Sequence, residues 1–149
     1  MYKKILVPVD GSPASARGLL EAVKLAKGLN AAIRLVHIVN EFVMDTALAP
    51  ALYNEGLIES LREVGRKTLQ DAEAFVVAQG LKPETQLLET IGGRVADSVV
   101  EEAKRQGADL IVMGTHGRRG VRRLVMGSDA ELVLRGSPTP VLLVRAGEQ

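Results

Sequence analysis

Ile5-Leu6-Val7-Pro8-Val9 is apolar at every position and stops at Asp10-Gly11-Ser12-Pro13. A strand without polar alternation has to be covered on both faces, which is the situation of a parallel strand inside an α/β sheet. The stop is equally informative. Ser12 offers a side-chain cap, and Pro13 brings a fixed φ suited to the first helical position. The segment therefore reads as strand, tight turn and helix entry.

That alternation repeats along the chain. The first helix is expected to reach about Gly28, with Ala16, Leu19, Leu20, Val23 and Ala26 on its inner face. Ile33–Val39 is a second strand, and 40–53 is the longest irregular stretch, holding Phe42, Met44, Pro50 and Tyr53. A long helix follows with the stripe Leu57, Leu61, Val64, Thr68, Ala72 and Phe75, read as core packing and ended by Gly80. Thr85–Thr90 is a third, more polar strand. Gly92-Gly93 opens another helix, with Val95, Val99 and Ala103 inward and Gly107 at its end. Leu110–Met113 is a fourth strand leading into Gly114, Ser128–Arg135 is helical, and Val141–Val144 is the last strand. Strands alternating with helices predict an open, doubly wound five-stranded parallel sheet with helices on both faces and right-handed crossovers. No linker, repeat or low-complexity segment interrupts residues 1–149, so one domain is expected.

Composition narrows the chemistry. The net charge of +1 supplies no global field toward nucleic acid or membrane, and aromatics at 3% leave little for base stacking. The chain has no Cys, which removes disulfides, thiolate metal sites and thiol nucleophiles. No apolar run approaches a membrane span, and Ile5-Leu6-Val7 is too short for a signal peptide. A soluble cytoplasmic protein is the expectation.

The chemistry-bearing stretch is Gly114-Thr115-His116-Gly117, followed after nine residues by Gly127-Ser128. Glycines let backbone approach a ligand closely, and a helix N-terminus presents unpaired N–H donors and a favourable dipole to phosphate. In an open α/β sheet, ligands bind beyond the carboxyl ends of the strands where the strand order reverses. If the order is 3-2-1-4-5, the reversal lies between the strands ending at Asp10 and Gly114, so the two least ordinary turns meet there.

Val7-Pro8-Val9-Asp10-Gly11-Ser12, Leu35-Val36-His37-Ile38-Val39, Ala108-Asp109-Leu110-Ile111-Val112-Met113-Gly114 and Pro138-Thr139-Pro140-Val141-Leu142-Leu143-Val144-Arg145 resemble the universal stress protein family. The spacing Gly114-x2-Gly117-x9-Gly127-Ser128 is similar to the nucleotide signature of its ATP-binding branch. The resemblance implies the 3-2-1-4-5 order of the adenine nucleotide alpha hydrolase-like fold. It also implies ATP or a related adenine nucleotide in the crevice, and homodimers. Carried over residue by residue, it sets Pro8, Ile38 or Val39, and Met113 around adenine, and Asp10 on the nucleoside. Gly114 and Gly117 would line ribose and phosphates, and Gly127 and Ser128 would hold phosphates. Asp129 departs from the uncharged residue common in the family, and an acid there helps only if it points away or meets a metal ion.

Each residue also has a plainer reading. Asp10 can cap the helix beginning near Pro13, and as an anion its ligand role would be limited to ribose hydroxyls or a bound Mg²⁺. Arg118, Arg119, Arg122 and Arg123 form either a solvated face or a bidentate contact for terminal phosphates, and their loop could also dock an unknown protein partner. His37 reads as a hydrogen-bonded core histidine, and His116 as a loop histidine without an evident orienting partner. There is no Gly-x4-Gly-Lys-Ser/Thr and no Gly-x-Gly-x-x-Gly. No catalytic residue and no protein metal site is assigned. The leading expectation is a nucleotide-dependent stress-response or signalling module. The alternatives are a slow ATPase or phosphotransferase in the same pocket and a dimeric interaction module without ligand. An apolar fifth strand at a sheet edge further predicts a homodimer through Val141–Val144.

Overall fold

The computed structural model describes residues 1–40, 55–116 and 126–147. Among them, five strands alternate with helices: β1 (Lys4–Pro8), α1 (Pro13–Leu29), β2 (Ala32–Asn40), α2 (Glu55–Ala78), β3 (Glu84–Thr90), α3 (Val95–Gln106), β4 (Leu110–Gly114), α4 (Ser128–Gly136) and β5 (Val141–Val144). The sheet is parallel throughout, in the order β3-β2-β1-β4-β5. The order reverses between β1 and β4, as expected. Of the irregular stretch 40–53, only Asn40 is described, and it ends β2; the remainder lies outside the described residues.

β1 is buried from both sides because its alternate residues feed two cores. Ile5 and Val7 join Leu35 beneath Leu19 and Val23 of α1 and Leu69 and Val76 of α2. Leu6 joins Val36 and Ile111 beneath Val99 of α3 and Val133 of α4. Ser12 caps α1 as its sequence suggests, with Oγ accepting from the Ser15 amide at 3.1 Å. Gly92 and Gly93 form the turn before α3, which begins at Val95.

Two helix faces differ from the sequence expectation. On α1, Ala16 is exposed, and the buried face is Ala14, Ser15, Gly18, Leu19, Ala22, Val23 and Ala26. The smallest residues face inward because α1 lies almost on the β4 backbone: a Cβ on Gly18 would stand 3.2 Å from the Gly114 nitrogen. On α2, Val64 is exposed and Leu57 and Leu61 are only half-buried, whereas Gly65, Leu69, Ala72 and Val76 are buried. Length explains this. The 24 residues of α2 span about 36 Å, against about 23 Å for the seven-residue β3 beside it. The first turns of α2 therefore overhang the strand ends instead of covering the sheet.

A buried charge pair was not anticipated. Arg34 on β2 donates from Nε to Glu102 of α3 at 2.9 Å and from Nη1 to Glu84 of β3 at 2.6 Å, and Arg105 also binds Glu102. The network ties the β3 edge and α3 to the neighbouring strand β2.

Candidate functional site

The end of β1 is built to diverge from β4. Pro8 has no N–H to give, and the described β1–β4 register stops at Leu6↔Ile111, whereas β1 stays paired to β2 through Pro8↔Val36. A crevice opens where the two strands part.

Its first wall is the turn after β1. Gly11 takes φ +82°, a left-handed conformation that suits glycine. Asp10 Oδ1 accepts from the Ser12 amide at 2.8 Å, and the Asp10 amide donates to Ser15 Oγ at 3.2 Å. Asp10 thus closes a turn ahead of the helix and does not cap α1, whose side-chain cap is Ser12, and it also lines the crevice.

The second wall comes from the glycine motif. Thr115 N–H donates to the Val144 carbonyl at 2.9 Å, and Gly127 N–H donates to the Thr115 carbonyl at 2.7 Å. That second bond brings the two ends of the motif together although they are far apart in sequence. Gly127 is the N-cap of α4 and supplies no side-chain cap. The amides of the first α4 turn therefore have no side-chain acceptor from the cap and stand beside the crevice, with Ser128, Asp129 and Ala130 in its lining. Asp129 and Glu131 complement the helix dipole there, which opposes an anionic ligand at the same place.

Together these walls enclose a cavity of about 470 Å³, within the range of small-molecule and cofactor sites. Of the residues singled out from sequence, Pro8, Asp10, Ile38, Val39, Met113, Gly114, Gly127 and Ser128 all line it. Gly117 and Arg118 lie outside the described residues, as do Arg119, Arg122 and Arg123. The lining is apolar on the α3 and α4 side, from Ile38, Val95, Val99, Met113 and Val133, and polar around Asp10, Ser15, Thr115 and Ser128.

Gly114 carries a different constraint from the one its motif suggests. A Cβ there would lie 2.6 Å from the Ala14 carbonyl carbon and 2.8 Å from the Ala14 Cβ. Close packing of α1 already requires glycine at this position.

Several lining residues were not anticipated as site residues. Leu61 and Val64 reach the cavity from the overhanging part of α2, and Arg62 anchors that part by a hydrogen bond to Glu89 of β3 at 3.2 Å. The excess of α2 length over strand length was the available signal. His37, the expected hydrogen-bonded histidine, has Nδ1 2.8 Å from the Val9 carbonyl and faces the same cavity. His116 also lines it, with Nδ1 3.0 Å from Thr115 Oγ1, so it does have a neighbouring partner. Among the described residues, no group of three or more His, Asp or Glu is placed to hold a metal ion.

A parallel sheet in the order β3-β2-β1-β4-β5 with a cavity at its switch point defines the chain as an α/β protein of the open, doubly wound sheet class. The model of the universal stress protein family matches residues 1–145, and the chain belongs to that family. It is 37% identical over 146 residues to universal stress protein MJ0531 of Methanocaldococcus jannaschii, covering 97% of this chain and 83% of that protein. Universal stress protein YxiE of Bacillus subtilis is 32% identical over 151 residues, covering 97% of this chain and all of that one. Among solved structures, MJ0577 superposes with a TM-score of 0.84 at 25% identity, covering 100% of this chain and 99% of that one. A universal stress protein in complex with cAMP gives a TM-score of 0.69 at 27% identity, covering 98% and 99%. The Archaeoglobus fulgidus protein in complex with dAMP gives 0.67 at 26% identity, covering 96% and 98%. No helix among the described residues is long and apolar enough to cross a membrane.

Proposed function

We propose that this protein binds an adenine nucleotide, ATP or a close relative, in the cavity between β1 and β4, and that occupancy sets its conformation or partner choice in a cytoplasmic stress-response or signalling role. The observation that carries the reading is the convergence of Pro8, Asp10, Met113, Gly114, Gly127 and Ser128 on one cavity of about 470 Å³. The apolar side, Ile38, Val39 and Met113 with Pro8, suits a base. Asp10 suits ribose hydroxyls, and the first turn of α4 with Gly127 and Ser128 suits phosphate. Gly117 is read as part of the phosphate cradle and Arg118 as a terminal-phosphate contact. Any Mg²⁺ arrives with the nucleotide, where Asp10 and Asp129 are the carboxylates able to meet it. Relatives captured with cAMP and dAMP support the adenine-nucleotide class.

Mass spectrometry of gently purified protein is expected to show co-purifying adenine nucleotide, and calorimetry to show binding that Gly127→Val abolishes. Unchanged affinity in that variant removes the site assignment. The same reading includes a homodimer through β5, an edge strand whose Leu142 is 39% exposed. A monomer at micromolar concentration in sedimentation would sink that part.

A further inference from the structure

We propose that His37 is a positioning residue of the cavity: its Nδ1–H holds the Val9 carbonyl and so fixes the turn that presents Asp10. The inference rests on the nucleotide reading above.

The need for such an anchor follows from Pro8. Without a Pro8 N–H, and with the described β1–β4 register ending at Leu6, the terminal residues of β1 are steadied from the β2 side. Val9 makes two contacts there. Its amide donates to the Val36 carbonyl at 2.8 Å, and its carbonyl lies 2.8 Å from His37 Nδ1. A carbonyl only accepts, so Nδ1 carries the proton. Val9 is buried, and without His37 its carbonyl would lose this partner. Asp10 is the next residue, and its own contacts, to Ser12 and Ser15, are local to the turn. Register of the turn against β2 thus passes through Val9, while on the β4 side the Ser12 hydroxyl reaches the His116 carbonyl at 3.5 Å.

The opposite side of the ring is fixed by α2. A Cβ on Gly65 would stand 2.7 Å from His37 Cδ2, 3.3 Å from Nε2 and 2.8 Å from Leu87 Cδ1. The imidazole is therefore clamped between the end of β1 and the helix that also contributes Leu61 and Val64 to the cavity. A leucine could fill the same space, but it could not donate.

The test is calorimetric titration of the full chain with MgATP. His37→Leu is expected to weaken binding about ten-fold, the order of one hydrogen bond's worth of misplacement. His37→Asn, whose amide can donate to the same carbonyl, recovers most of that loss. In an Asp10→Asn background, His37→Leu costs little more, because both act on one contact. Long-range ¹H–¹⁵N spectra of the wild type show the Nδ1-protonated ring. If His37→Leu does not fold, His37→Met, a flexible side chain that can fill the space but has no N–H to donate, is expected to give the same loss. Nucleotide affinity that neither His37→Leu nor His37→Met changes overturns the inference alone. So do equal losses in the Leu and Asn variants, additivity with Asp10→Asn, or an Nε2-protonated ring. A wild type that takes up no adenine nucleotide overturns the nucleotide reading and the inference with it.

Discussion

Gly114→Ala tests the claim that helix packing, independently of any ligand, demands glycine at the end of β4. The added Cβ would meet the Ala14 carbonyl carbon at 2.6 Å and the Ala14 oxygen and Cβ at 2.8 Å. These are backbone and a methyl group with no rotamer to change, so relief requires α1 to move as a unit. Overpacking of that kind costs about 1–3 kcal/mol, and the rigid contact argues for the upper end. For a chain of 149 residues, about 2–4 °C of Tm per kcal/mol gives a fall of roughly 6–12 °C for 3 kcal/mol. The same helix supplies a control of opposite sign. Gly28 has open space where a Cβ would stand and no positive φ, so Gly28→Ala should stabilise by about 0.5–1 kcal/mol. Thermal and urea unfolding of both variants, followed by circular dichroism without nucleotide, decide the matter. A Gly114→Ala protein that melts within about 2 °C of wild type refutes the packing argument and returns Gly114 to the ligand alone.

Glu102→Ala leaves the buried Arg34 guanidinium with Glu84 as its one acidic partner among the described residues and should cost about 3 kcal/mol in urea unfolding. Ser12→Ala removes the α1 cap and should cost about 1 kcal/mol in the same assay, lowering Cm without changing m. On α2, the hydrogen bond from Arg66 holds the Glu59 carboxyl below its ordinary value. A carboxyl lowered on folding stabilises above the ordinary Glu range and loses that contribution as pH falls through the lowered value. An NMR titration should find Glu59 below the usual Glu range in wild type and shifted upward in Arg66→Ala, where Arg62 still holds part of the lowering.

Strand positions were legible because burial on both faces leaves Ile5–Val9 and Leu110–Met113 no polar residue to obscure them. Where the sequence signal was weaker, the cause was specific. Helical periodicity shows that residues share a face, not what that face meets. On α1 the true face holds Ser15 and Gly18, residues that no hydrophobic pattern selects. On α2 the apolar stripe continues past the end of the sheet, so Leu61 and Val64 look like core residues and line the cavity. Glu102 resisted prediction for the same reason: its partner Arg34 lies 68 residues away on another element.

The glycine motif shows how two causes can share one letter. Gly114 is fixed by the approach of Ala14, Gly11 by its positive φ, and Gly65 by the His37 ring. Each would require glycine whether or not a ligand binds. Gly127 differs, since its φ of −59° and ψ of 149° are open to any residue. Its amide is already committed to Thr115, so what glycine provides there is bare backbone at the mouth of the cavity. Of these glycines, Gly127 is therefore the one at which a substitution can separate ligand binding from folding. Gly127→Val should leave Tm without nucleotide within about 2 °C of wild type while removing the nucleotide-dependent rise in Tm. A large loss of stability in the unliganded variant would show that this glycine, too, serves the fold.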